Sequence, residues 1–170
     1  MFLVKIISIT GTPGTGKTYL AKKLSKKLGI KHIEIGKIVK KEKLYSSYDK
    51  KMKSYIVSES KLKKYISKIK EDFILDGHLS HLVRSTIVIV LRCEPKVLER
   101  RLKRRKYSRE KIRQNVESEI IGLISYEVRK RKNVYEIDCT KSKKSCLKQA
   151  ISAVKGKAKK QEIDWCRKGI

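Results

Sequence analysis

The sequence predicts an α/β protein with a five-stranded parallel sheet covered by helices on both faces, and three observations predict it. Apolar runs without alternation recur along the chain, as in Ile6-Ile7-Ser8-Ile9 and Ile87-Val88-Ile89-Val90. Strands buried on both faces read this way. Stretches with apolar residues at helical spacing separate these runs, as right-handed β-α-β units require. The first run leads into a glycine-rich segment and then a helical pattern, the order that a phosphate loop needs. With 170 residues and neither repeat nor linker, one domain over residues 1–170 is expected.

The elements follow in order. Residues 3–10 read as the first strand. From Thr18 to Leu28 a helix is expected, with Leu20, Ala21, Leu24 and Leu28 on one face and Gly29 as its stop. His32–Ile35 is a short second strand. Residues 37–70 are lysine-rich and read as mostly helical, with Leu62, Ile66 and Ile69 on one face. Phe73–Asp76 and Ser85–Leu91 are strands three and four. Pro95 opens a helix to about Lys106. Ser108 caps a long helix whose apolar face runs through Ile112, Val116, Ile120, Leu123, Ile124 and Val128. Val134–Asp138 is the fifth strand, and Ser142 caps a last helix before a weakly patterned tail beyond Lys157.

The strongest chemical signal is Gly-Thr-Pro-Gly-Thr-Gly-Lys-Thr at 11–18, a complete G-x-x-x-x-G-K-[ST] loop. Its glycines, including Gly14 and Gly16, let successive backbone N–H groups turn inward on phosphate oxygens. Lys17 is expected to reach the β- and γ-phosphates and the Thr18 hydroxyl to ligate Mg²⁺. An ordinary glycine turn gives no reason for the Gly-Lys-Thr ending.

Strand three ends in Asp76-Gly77-His78. An acid ending a buried strand beside the first holds Mg²⁺ opposite the loop hydroxyl, usually through water. His78, two residues on, is placed to orient a water or a phosphate. His81 has the weaker case and reads as structural. The segment 96–113 carries ten basic residues and two acids. Arginine forks stabilise charge spread over a transferring phosphoryl group, and two or three of these would do so. The others read as a solvated basic face.

Charge bears on partners. The 45 Lys+Arg against 17 Asp+Glu give a formal net charge of +28, far more than one phosphate pocket needs. Residues 139–161 hold eight lysines and no acid. This points to an RNA or ribosomal contact, or to a lysine-rich proteome in a saline cytoplasm. The four cysteines contain no C-x-x-C pair and are expected to be reduced. No stretch approaches the ~20 apolar residues of a membrane span, and the first strand starts too early for a secretory leader. A soluble, cytoplasmic protein is expected. The guanine motif Asn-Lys-x-Asp is missing, which argues against a GTPase.

Four stretches together resemble the adenylate kinase isoenzyme 6 family, small P-loop kinases of archaea and the eukaryotic nucleus. They are the loop at 11–18 and Ile35-Gly36 with Glu42-x-Leu44-Tyr45-x-x-Tyr48-Asp49. Asp76-Gly77-His78 is the third. Val90-Leu91-Arg92 followed by Leu98-x-x-Arg101-Leu102-x-x-Arg105-x-Tyr107 and Asn115-x-Glu117-x-Glu119-Ile120 is the last. The resemblance implies a three-layer nucleoside monophosphate (NMP) kinase fold, with an NMP-binding segment at about 35–58 and a short lid at about 101–111. It implies the reaction ATP + AMP ⇌ 2 ADP with Mg²⁺, ATP hydrolysis, and a role in late maturation of the small ribosomal subunit. The implied partners are ATP, a nucleoside monophosphate, a platform ribosomal protein and rRNA, with no membrane or DNA partner. By position, Gly14, Gly16, Lys17, Thr18, Tyr19 and Arg105 bind ATP. Lys17, Asp76, His78 and Arg105 are catalytic, and Thr18 and Asp76 serve the metal. Gly36, Lys40, Arg92 and Arg101 are expected at the monophosphate. Lys37 stands where the family usually has Asp, and Lys40 where it often has Arg; lysine offers a point charge in place of a bidentate fork.

Overall fold

The computed structural model describes residues 5–167. The first two residues expected in strand one, 3 and 4, lie outside that range. Five parallel strands form one sheet: β1 (Ile6–Gly11), β2 (Lys31–Glu34), β5 (Phe73–Asp76), β6 (Ile87–Arg92) and β7 (Val134–Asp138). Their spatial order is β2-β5-β1-β6-β7. The central three strands are almost wholly buried, which explains their unbroken apolar runs. Ile9 pairs with Asp76 on one side and Ile89 on the other, so the acid ends its strand beside the exit of β1.

Helices cover both faces. Leu20, Ala21 and Leu24 of α1 (Lys17–Leu28) and Ala150 and Ala153 of α7 (Lys143–Val154) pack on Ile7, Ile74 and Ile89. On the other face, Ile35 and Val39 of α2 (Ile35–Lys41) and Leu62 and Ile66 of α3 (Glu59–Ile66) cover Phe73 and Leu75. Leu98 and Leu102 of α4 (Pro95–Arg104) meet Ile112 of α5 (Arg109–Ile120) beside the loop. Among the described residues, no helix is long and apolar enough to cross a membrane.

Three expectations need correction. The stretch 37–70 is not mostly helical: β3 (Tyr45–Asp49) and β4 (Ser54–Val57) form an antiparallel hairpin between α2 and α3. Tyr45, Tyr48, Tyr55, Ile56 and Val57 are strand formers, and their β preference outweighs the lysines around them. The long helix after Ser108 is broken at Gly122 (φ 64°), which caps a separate helix, α6 (Leu123–Val128). Lastly, Cys139 and Cys146 form a disulfide with Cα atoms 5.4 Å apart, not two free thiols. Cys139 leaves β7 and Cys146 sits in the first turn of α7, so the strand-to-helix turn juxtaposes two cysteines seven residues apart.

Candidate active site

The loop between β1 and α1 is shaped by backbone that other residues could not supply. Gly11 has φ 135°, and a Cβ there would lie 2.4 Å from the Leu91 carbonyl. Gly14 (φ 96°) would drive a Cβ to 2.9 Å from Leu98. Gly16 is the N-cap of α1 and is also left-handed. No side chain caps that helix and no acid occupies its first turn. Its first amides and its positive end therefore face an anion site, not a protein carboxylate.

Lys17 folds back across the loop. Its Nζ donates to the Gly11 carbonyl at 2.8 Å and the Thr12 carbonyl at 3.0 Å. Burial pushes its pKa down to about 8, against Asp76, which holds it up; Arg105 lowers it further. Asp76 is buried at the end of β5, and its charge acts on this ammonium. The Thr18 hydroxyl and the Asp76 carboxylate are hard oxygen donors suited to Mg²⁺ that arrives with phosphate. Among the described residues, no group of three His, Cys, Asp or Glu could hold a metal by itself.

A cleft of about 490 Å³ opens over the loop, lined by Gly14, Thr15, Gly16, Thr18, Tyr19, Arg101, Arg104, Arg105, Cys139, Lys143 and Cys146. That volume lies within the usual range for small-molecule sites. A larger cleft of about 860 Å³ sits elsewhere, among Ile66, Val83, Arg84 and Arg131, and holds none of the loop's phosphate-facing groups. Arg101 donates to the Cys139 and Thr140 carbonyls at 3.1 and 2.9 Å, and lies 3.5 Å from the Gly14 carbonyl. Lys143 lies 4.8 Å from the Tyr19 ring centroid. The lysine-rich stretch 139–161 thus reaches the cleft at Lys143 and is not wholly apart from it.

The histidines divide. His78 stands on the rim. Crowding by protein, then the charges of Lys17, His81 and Lys111, lower its pKa to about 4. The lowered pKa leaves exposed His78 neutral at pH 7. His81 is buried between Thr10 Oγ1 at 2.9 Å and Glu127 Oε2 at 2.7 Å, a structural position. Gly36 and Lys40 lie on the exposed side of α2.

Arg92 does not line the cleft over the loop. It is buried at the end of β6, and its guanidinium is held by Glu119, Glu136, Ser125 and the Ile163 carbonyl, all within 3.1 Å. The basic face of 96–113 stays outside; Arg92 is drawn inward because two buried carboxylates need it.

Sequence reasoning assigned no role to two residues. His32 Nε2 lies 3.3 Å from Asp76 Oδ2. Nothing in a short strand marks that reach. Glu119 is 2 % exposed, and its Oε2 accepts the Thr12 hydroxyl at 2.6 Å. Here a signal existed, since Glu119 falls on the same apolar face of the helix as Ile112 and Val116.

The chain is similar to known proteins over most of its length. A family model described as an AAA domain matches residues 7–122. The "Putative adenylate kinase" of Methanocaldococcus jannaschii is 42 % identical over 167 residues, covering 95 % of this chain and 93 % of that one. The protein of the same name from Pyrococcus furiosus is 36 % identical over 174 residues, covering 95 % and 92 %. Among solved structures, a deoxyadenosine kinase from M. mycoides with bound dATP matches with TM-score 0.60 and 17 % identity, over 88 % of this chain and 99 % of that one. A gluconokinase from Sinorhizobium meliloti 1021 matches with TM-score 0.63 and 13 % identity, over 91 % and 93 %. At those identities the structures speak for the fold alone.

Proposed function

The chain belongs to the family of proteins named putative adenylate kinase, and from that premise we propose that it is a nucleoside monophosphate kinase catalysing ATP + AMP ⇌ 2 ADP, with ATP hydrolysis as a second activity. The observation that carries this reading is Lys17 resting on two loop carbonyls at the uncapped N-terminus of α1, with the charge of Asp76 acting on it.

In this reading the backbone amides around Gly14 and Gly16 receive the phosphates, and Lys17 leaves its carbonyls for the β- and γ-oxygens. Thr18 and Asp76 would hold Mg²⁺, which supplies neutralisation of charge on the transferring group. His32 keeps the Asp76 carboxylate oriented. Arg105, with Arg101, clamps the phosphoryl group from a lid spanning about 101–111. Tyr19 borders the ATP side. On the acceptor side, Gly36 and Lys40 take the monophosphate within the segment 35–58, which contains the β3–β4 hairpin. In hydrolysis, neutral His78 orients the attacking water. The whole chain acts as one kinase domain in the cytoplasm. A basic surface that includes exposed Lys141, Lys144 and Lys148 supports contact with rRNA or a small-subunit ribosomal protein during late maturation.

A second reading, an assembly ATPase whose kinase activity is incidental, is favoured by one observation. Arg92 is locked in the core and Arg101 is tied to the Cys139 and Thr140 carbonyls beside the loop, which leaves exposed Lys40 as the acceptor-side cation. ADP formation from Mg-ATP, with and without each monophosphate, decides between the two. A large stimulation by AMP supports the kinase; equal rates support the ATPase.

A further inference from the structure

A buried carboxylate is costly unless its lone pairs are filled by well-placed donors. Glu119 fills them from separate parts of the chain. Its Oε1 accepts from Arg92 Nε at 2.8 Å, the Cys93 amide at 3.0 Å and Trp165 Nε1 at 3.0 Å. Its Oε2 accepts from Thr12 in the phosphate loop. The carboxylate cannot rotate to follow one partner without losing others. Arg92 strengthens the tie to the C-terminal segment, since its guanidinium donates to the Ile163 carbonyl at 2.7 Å.

Thr12 is a joint in the loop. While its side chain holds Glu119, its carbonyl accepts Lys17 Nζ and, at 2.9 Å, Thr15 Oγ1. When Lys17 moves to phosphate, that carbonyl loses one of its donors, at the residue whose side chain holds Glu119. We propose that Glu119 is a positioning residue that couples the C-terminal segment to the phosphate loop. Docking of Trp165 then presets the loop, and nucleotide at the loop is felt at Trp165. Such coupling is reciprocal by thermodynamic necessity. The negative charge of Glu119 also reaches Lys17, raising the affinity of that amine for its proton. The proposal rests on the nucleotide reading of the loop and extends it to the C-terminal segment around Trp165.

Trp165 is the only tryptophan, so ¹⁵N-labelled protein gives a single indole N–H resonance that reports its bond to Glu119. A non-hydrolysable ATP analogue with Mg²⁺ is titrated while calorimetry follows binding independently. The resonance is expected to shift with the calorimetric saturation curve. Thr12→Val, which removes the hydroxyl and leaves the bonds to Oε1 in place, should abolish the shift and weaken binding about fivefold or more. Thr12→Ser should keep both. Trp165→Phe should weaken the analogue although it removes no loop atom. An unmoved wild-type resonance despite calorimetric binding overturns the coupling, and so does a full shift in Thr12→Val. The wild-type titration needs no variant to fold. Failure of the wild-type protein to bind the analogue at all overturns the nucleotide reading and the proposal together.

Discussion

His32 Nε2 and Asp76 Oδ2 lie 3.3 Å apart on neighbouring parallel strands, in a site where the charge of Asp76 acts on the ammonium of Lys17. A side chain that orients a metal-binding carboxylate commonly contributes 10–100-fold to metal affinity. His32→Ala should therefore raise the Mg²⁺ concentration for half-maximal activity by about tenfold. A Mg²⁺ titration at saturating ATP checks this. An unchanged midpoint would leave His32 as packing only.

Lys17→Met should abolish kinase and ATPase activity and leave the fold intact, because this amine contacts loop carbonyls and not the core. The loss should be about 3 kcal/mol or more of transition-state stabilisation. With a resting pKa near 8, Lys17 loses its proton as pH rises through that value. Phosphate binding favours the cation, so nucleotide binding at pH 8.5 should take up a proton and at pH 6.5 should not. Calorimetry in buffers of different ionisation enthalpy measures the uptake.

His78→Ala should reduce ATP hydrolysis more than AMP phosphorylation, since a monophosphate brings its own attacking oxyanion. The lowered pKa of His78 predicts no titration of this residue between pH 6 and 8 in either activity. Equal losses of both rates in the variant would make His78 a shared binding or structural residue.

Arg92→Met should act on stability. It leaves Glu119 and Glu136 without their buried countercharge. Breaking such a pair costs about 3–5 kcal/mol. Chemical denaturation measures the loss. A variant of wild-type stability with a raised KM for AMP would restore Arg92 to the acceptor site.

The lysine-rich surface is tested by salt. If it meets rRNA phosphates, replacing Lys141, Lys144 and Lys148 with Gln should flatten the slope of log K against log[salt] by about 2–3. Lys143 is left unchanged because it borders the nucleotide cleft. Binding to a small-subunit rRNA fragment across a salt series gives both slopes, and an unaltered slope would remove these lysines from any such contact.

The sheet was legible because its central strands are buried on both faces and carry apolar residues without a break. The loop was legible because its chemistry is compressed into eight consecutive residues. What stayed hidden depends on distance in sequence. Arg92 sits three places before a basic helix, and only its burial with Glu119 and Glu136 separates it from the solvated arginines. The hairpin at 45–57 was masked by lysines that point to solvent whichever backbone they follow. The break at Gly122 is one residue inside a continuous apolar pattern, and its left-handed backbone caps a separate helix.

The strand order has a kinetic meaning. Each pairing in the sheet joins strands far apart along the chain: β1 meets β5 through Ile9 and Asp76, and β6 meets β7 through Val88 and Val134. None of these ladders can zip from a tight turn, so loop-closure entropy is spent before any contact repays it. Folding should be slow for the chain's length, with apolar strands left waiting for distant partners. A formal charge of +28 makes neighbouring half-folded chains repel one another while the sheet assembles.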